Sequence, residues 1–198
     1  GLYYESSTIL KDFKRLLASE NIVSKQWIYE QYDQHVKGNT ILDCGHKVGI
    51  IRLDDHRALA ATLNSQTFFC ATDPYRGSLN LAADLYSRLI AINAQPLGTV
   101  DCLNFGNPEK EERMGEFYES TKAMHDMVSK LNIPFISGNV SFYNEAHAGA
   151  IPPTPTIMAI GIVNDVRKVS TANFKKEGNP IYLIGETKRE MGGSEYYR

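Results

Sequence analysis

Apolar positions along the chain follow two periods, and these divide it into helices and strands. Ile9, Leu10, Phe13, Leu16 and Leu17 share one helical face, with Ser6 or Ser7 placed to cap it. The polar stretch ASENIVSK breaks that pattern. Ser24 is then placed to cap a second helix over KQWIYEQYDQHV, closed by Gly38 and Asn39. VGIIRL and ALAATL predict two strands around the turn DDHR, and TFFCAT predicts a third, stopped by Asp73 and Pro74. Helical spacing returns behind Ser78 with Ala82, Leu85, Leu89 and Ile92. PLGTV is the fourth predicted strand. Asn107 as cap, Pro108 in the first turn, and Glu109, Glu111 and Glu112 near the positive end of the dipole start another helix. Its buried stripe is expected at Met114, Phe117, Thr121, Met124, Val128 and Leu131. IPFIS and TIMAIGIV are strands five and six. Strands first alternate with helices and then occur next to each other, the pattern of an α+β (mixed α/β) domain.

The character changes after Asp165. VRKVSTANFKKEGNP is polar and rich in turn formers, IYLIGE predicts a short strand, and GGSEYYR starts like a capped helix. A segment this short cannot enclose a core of its own. Three stretches are therefore expected: a linker helix over 1–23, a main domain over 24–163, and the incomplete opening of a second domain over 164–198.

Composition narrows the class. The chain has 198 residues, 42% hydrophobic and 22% charged, with a net charge of −2. That is ordinary globular composition without the basic excess of a nucleic-acid or membrane surface. No apolar run is long enough to span a bilayer, and no signal-like segment opens the chain. Cys44, Cys70 and Cys102 are odd in number and widely spaced, which points to reduced thiols and a cytoplasmic protein. Cys44 and His46 make a Cys-x-His pair, but zinc needs two further ligands at suitable spacing, so the pair reads as loop.

Candidate chemistry gathers at strand ends. TFFCAT ends at Asp73, PLGTV at Asp101, and IPFIS at Gly138 and Asn139. If the three strands end on one side of a sheet, two carboxylates and an amide oxygen face one crevice. Such hard donors suit magnesium and, through it, phosphate. Plainer roles stand beside this one. Asp73 before proline is a common turn former. Asn107 is a helix cap, Asn104 can bond its own loop, and Gly138-Asn139 can be a turn with positive φ. Asp101 is harder to dismiss, because it follows a buried run and no strand needs it as a stop. Gly192 to Glu195, GGSE, can offer N–H groups to an anion or simply start a helix. No G-x-x-x-x-G-K-[ST] loop, G-x-G-x-x-G fingerprint, G-x-S-x-G elbow or Cys/His nucleophile pair occurs.

Five stretches together are distinctive: WIYEQYDQHV, DCLNFGNPE, SGNVSFYNE, PTPTIMAIG and IYLIGETKREMGGSEY. In this order they resemble consecutive motifs of the formylglycinamide ribonucleotide amidotransferase synthetase family, also called phosphoribosylformylglycinamidine synthase. The resemblance runs from Lys25 onward. It implies an architecture of two tandem halves, each with an A-type and a B-type domain like those of aminoimidazole ribonucleotide synthetase. The two A-type domains pair through their sheets. This chain corresponds to the second A-type domain and the start of its B-type domain. A missing first half is therefore expected as a partner, together with a glutaminase that supplies ammonia. An unpaired A-type sheet is expected to drive homo-oligomerisation.

The family's reaction is the ATP-dependent conversion of formylglycinamide ribonucleotide and ammonia to the amidine, with ATP and Mg2+ as cofactors. Carried onto matching positions, Asp101 and Gly138 resemble ATP contacts, Asn139 a magnesium ligand and Ser141 a contact to the ribonucleotide. None of His35, His46, His56, His125 and His147 matches a family catalytic histidine. Two stretches depart from the family pattern: DCGHKVGIIRL replaces a proline-glycine-aspartate loop, and RGSLNLAADLYSRLIAINAQPLG is looser than the usual glycine- and alanine-rich helix. These weaken any binding role for Asp43 to Gly49 and for Gly77. The expected function is part of a C–N ligase, with this stretch inactive alone. The alternative is a non-catalytic scaffold or nucleotide-binding module. DCLNFGNPE disfavours the related aminoimidazole ribonucleotide and selenophosphate synthetases.

Overall fold

The computed structural model describes residues 6–197, apart from the side chains of Ser6 and Ser7, so the capping role expected of those serines lies outside the described residues. Helix α1 spans Ser6–Leu17 and α2 only Gln26–Tyr29. The predicted second helix stops early because side chains capture its backbone. Gln34 Nε2 donates to the Tyr29 carbonyl at 2.8 Å, and the Asp33 carboxylate accepts the His35 N–H at 2.8 Å. Ser24 Oγ does accept the Gln26 N–H, at 3.2 Å.

The body is a six-stranded sheet built from β1 (Thr40–Leu42), β2 (Gly49–Arg52), β3 (Ala58–Ser65), β4 (Gln95–Asn104), β5 (Phe135–Ser141) and β8 (Thr154–Val163). A separate small hairpin pairs β6 (Glu145–Ala146) with β7 (Gly149–Ala150). In the large sheet the strand order is β1-β2-β3-β8-β4-β5, and every pairing is antiparallel except β4 with β5. The β2–β3 hairpin closes on Asp54, whose carboxylate accepts the His56 and Arg57 N–H groups at 2.9 and 2.7 Å. Those bonds, with the Arg57 guanidinium, hold its carboxyl at about 2.

Three helices follow on one side: α3 (Thr67–Thr72), α4 (Pro74–Ala91) and α5 (Glu111–Leu131). Leu81, Leu85 and Leu89 of α4 are buried against Ala58, Ala60, Ile157, Ala159 and Val163 of the sheet. Small alanines let the helix approach, and each leucine contributes roughly 1.5–3 kcal/mol by burial. Burial alternates strictly along β8, with Pro155, Ile157, Ala159, Gly161 and Val163 on the helix side. The opposite face carries Ile51, Leu63 and Ile136, which stay 48%, 60% and 62% exposed.

TFFCAT is a helix, not a strand. Its six residues carry the chain from the end of β3 to the start of α4, and Cys70 is fully buried between them. Gly77 makes this possible, since a Cβ there would lie 2.5 Å from the Cys70 backbone nitrogen. Asp73 caps α4 by accepting the Arg76 N–H at 2.9 Å, and Pro74 occupies the first turn. Ser78 is therefore buried inside the helix rather than at its cap. Likewise α5 begins after Lys110; Asn107 instead closes a turn by accepting the Glu109 N–H at 2.9 Å. On α5 the buried residues are Ser120, Ala123, Met124 and Met127, whereas Met114 is 45% exposed.

Beyond β8 the described residues contain only short 3-10 turns, at Val166–Lys168 and Glu195–Tyr197. IYLIGE forms no strand; Ile181 to Ile184 are 80–96% exposed. A strand exists only with a partner, and the described residues offer none at this place. No described helix is long and apolar enough to cross a membrane.

Candidate nucleotide-binding edge

DCLNFGNPE begins as a strand. Asp101 to Asn104 complete β4, and only then does the chain turn. Gly138 and Asn139 are strand too, paired with Asp101 and Cys102 in the parallel β4–β5 ladder, so they form no turn. Parallel pairing ends both strands on the same side, at Asn104 and Ser141. The strand ends carrying Asp101 and Gly138-Asn139 therefore do lie side by side, but the expectation that their side chains face one crevice fails, because the two faces of the sheet divide them. Asp73 lies at the start of α4, not at a strand end, and its carboxylate is engaged as the cap.

Asp101 and Gly138 touch. A Cβ on Gly138 would sit 2.5 and 2.6 Å from the two carboxylate oxygens of Asp101. Only glycine leaves room for that carboxylate to lie across the edge strand. Burial raises the Asp101 pKa, and the Asn139 N–H, bonded to the carboxylate, opposes the rise. Asp101 is thus a fixed acceptor with a partly dehydrated charge.

The register divides the four residues between two faces. Asp101 pairs with buried Ile157 and shares the helix side with Gly138, as their contact requires. Asn139 and Ser141, one and three positions further along β5, point to the opposite face. There the Asn139 amide lies 3.9 Å from Cys102 Sγ. Asp101 and Asn139 side chains therefore cannot chelate one ion together. Among the described residues no group of three or more His, Cys, Asp or Glu side chains could hold a metal. The residues fit magnesium only by adding one oxygen donor to ligands from elsewhere. Cys44, Cys70 and Cys102 are all free. Burial pushes the Cys70 thiol up to about 11.

Sequence reasoning missed what holds this edge in place. Glu145 accepts the Asn107 N–H at 3.0 Å and the Lys110 ammonium at 2.7 Å, which pulls its pKa below the usual range. Asn144 lies between the ends of β4 and β5. Its Nδ2 is 3.0 Å from the carbonyl oxygens of both Phe105 and Ser141, and its own N–H donates to the Phe105 carbonyl at 3.2 Å. Tyr143, the residue before Asn144, adopts a left-handed φ of 60°. Phe105, Phe117 and Phe142 stack edge to face below, with centroids 5.4 and 5.0 Å apart. An asparagine after a strand was the available signal, since asparagine side chains readily bond nearby backbone.

Comparison with known proteins bears on the fold and the family. Residues 45–163 match the family model described as "AIR synthase related protein, N-terminal domain". A phosphoribosylformylglycinamidine synthase subunit PurL from Thermoanaerobacter pseudethanolicus is 42% identical over 189 residues, which is 95% of this chain but 26% of the relative. The chain thus spans about a quarter of the length of that curated relative. The fold matches PurL of Thermotoga maritima. In the PurLQS structure the TM-score is 0.71 at 24% identity, over 76% of this chain and 25% of that one. The complex of that PurL with ATP gives 0.68 at 24% identity, over 75% and 24% of the two chains. The complex with FGAR gives 0.67 at 25% identity, again over 75% and 24%. An α+β domain with a mixed sheet, a family model over most of it and close PurL relatives together make this chain a member of the AIR synthase related family, similar throughout to PurL.

Proposed function

We propose that the chain is the second A-type domain, with the opening of a B-type domain, of a phosphoribosylformylglycinamidine synthase. It forms one wall of an ATP site completed by the other half of the synthetase. The observation that carries this reading is the Asp101 carboxylate laid over Gly138 at the end of the parallel β4–β5 pair. It is an acceptor set in place before any ligand arrives, on the motif that resembles the family's ATP contact.

In the proposed reaction the γ-phosphoryl of ATP passes to the oxygen on the glycinamide carbonyl carbon of formylglycinamide ribonucleotide, releasing ADP. Ammonia, supplied by a glutaminase partner, then adds to the same carbon, and phosphate leaves with the oxygen. The amidine remains. Asp101 accepts a hydrogen bond from the nucleotide or its bound water, Gly138 supports that contact by leaving room for the carboxylate, and Ser141 contacts the ribonucleotide from the other face. Asn139 would give magnesium one oxygen donor on the Ser141 side of the edge, and the ion would supply charge neutralisation to a ligand phosphate there. A purine-biosynthetic role in the cytoplasm follows from this assignment.

The test is Asp101→Asn in the complete synthetase. A charge-assisted hydrogen bond is worth ~1.5–3 kcal/mol, so kcat/KM for ATP is expected to fall about tenfold to hundredfold. Unchanged ATP kinetics would return Asp101 to a purely structural role. The chain alone is expected to make no formylglycinamidine ribonucleotide from ATP, magnesium, substrate and ammonia, because no histidine here matches the family's catalytic ones.

A further inference from the structure

We propose that Asn144 is a positioning residue for the ribonucleotide subsite and acts through Ser141; this rests on reading Ser141 as a ribonucleotide contact. The orientation of the Asn144 amide is set by chemistry. Two carbonyl oxygens, of Phe105 and Ser141, lie 3.0 Å from one end of it. Carbonyls only accept, so that end is the NH2 group, and its two protons go to these two oxygens.

The Ser141 hydroxyl is left beside the amide rather than bonded hard to it. Its Oγ is 3.2 Å from Nδ2, whose protons are already used, and 3.4 Å from Oδ1. Hydroxyl-to-oxygen bonds centre near 2.7–2.8 Å, so 3.4 Å is a weak contact. The hydroxyl is held in place while its proton stays available for an acceptor oxygen on a ligand. The backbone around it is locked as well. The Ser141 carbonyl takes the Phe105 N–H at 3.0 Å, and the Asn144 carbonyl takes the Ile151 N–H at 3.0 Å. Asn144 thus fixes the last residue of an exposed edge strand at the point where its ladder with β4 ends. An edge strand without that anchor frays, and a hydroxyl on a frayed end loses the preorganisation that makes one hydrogen bond useful in binding.

A double-mutant cycle in the complete synthetase tests this, with Ser141→Ala, Asn144→Asp and the pair. Asp keeps the shape of Asn144, removes both protons and offers the Ser141 hydroxyl a strong acceptor that turns it inward. Asn144→Asp is expected to raise KM for the ribonucleotide about tenfold while KM for ATP moves less than about twofold. In the Ser141→Ala background it should add no further rise. If the two effects multiply instead, Asn144 does not act through Ser141 and the proposal fails. If Ser141→Ala alone leaves the ribonucleotide KM untouched, the reading of Ser141 falls, and the proposal with it. Should Asn144→Asp fold poorly, Asn144→Ser serves in its place, since it keeps one donor; a ribonucleotide KM unchanged from wild type with a lowered Tm would assign Asn144 to the loop alone.

Discussion

Two carboxylates at one end of the sheet are expected to respond to acid with opposite sign. Glu145 is held below the ordinary glutamate pKa by Lys110 and the Asn107 N–H, so its contribution to stability is present above the unfolded pKa and lost as pH falls. Glu145→Gln should melt lower than wild type at pH 7, and the gap should close on acidification. Asp101 is raised by burial, so its ionisation costs stability, and that cost grows as pH rises through the folded pKa. Asp101→Asn should therefore melt no lower than wild type at neutral pH, even as ATP use falls. Thermal melts of both variants from pH 7 to pH 4 check the pair of signs. Gly138→Ala makes a third case. Its Cβ would overlap the Asp101 carboxylate, so it should lose both ATP use and stability. That Asp101 is a candidate was legible in the sequence, because a carboxylate after an apolar run is not needed to stop the strand. Its dependence on Gly138 was not, since nothing in the spacing of residues 101 and 138 says that they lie on adjacent strands.

At the scale of elements the sharpest test is the contact between α3 and α4. Gly77 faces backbone, not a flexible side chain, and a methyl carbon added there would meet atoms of Phe69 and Cys70 at 2.5–2.7 Å. Gly77→Ala must push two helices apart, an overpacking that costs ~1–3 kcal/mol and should show as a lowered Tm with intact secondary structure. This same contact explains the misread element. TFFCAT is apolar and β-prone, but β3 is already paired on both sides by β2 and β8, so no open edge remains beside it. A buried helix satisfies its backbone internally, and Gly77 gives it a place to pack. The longer helices and β2, β3, β4 and β8 were readable, since amphipathic period and paired burial agree there. The ends were not: Asn107 and Ser78 are good caps by type, yet Lys110 and Asp73 stand at the caps because the turn before each helix uses local side-chain bonds first.

For the whole molecule, the sheet face opposite the helices is the exposed apolar surface of interest. Ile51, Leu63 and Ile136 lie on it and are about half exposed or more. We propose that this face is the one that pairs with the other A-type domain in the complete synthetase, and that alone it pairs with a second copy of itself through an isologous contact. The isolated chain should sediment as a dimer at micromolar concentration, and Leu63→Glu should shift it to monomer without lowering helix content. A wild-type monomer at that concentration would count against the assignment.

Local sequence carried the period of each long element, the start of the hairpin at Asp54, and the chemistry of DCLNFGNPE and SGNVSFYNE, because these depend on neighbours a few residues apart. Which strands lie side by side depends on contacts between residues dozens of positions apart, and those come only from packing. Folding set β4 beside β5, brought Asp101 against Gly138, and turned Asn139 and Ser141 to the other face of the same edge. It also left IYLIGE exposed and outside any sheet, since an apolar run becomes a strand only where another strand is present to take its hydrogen bonds.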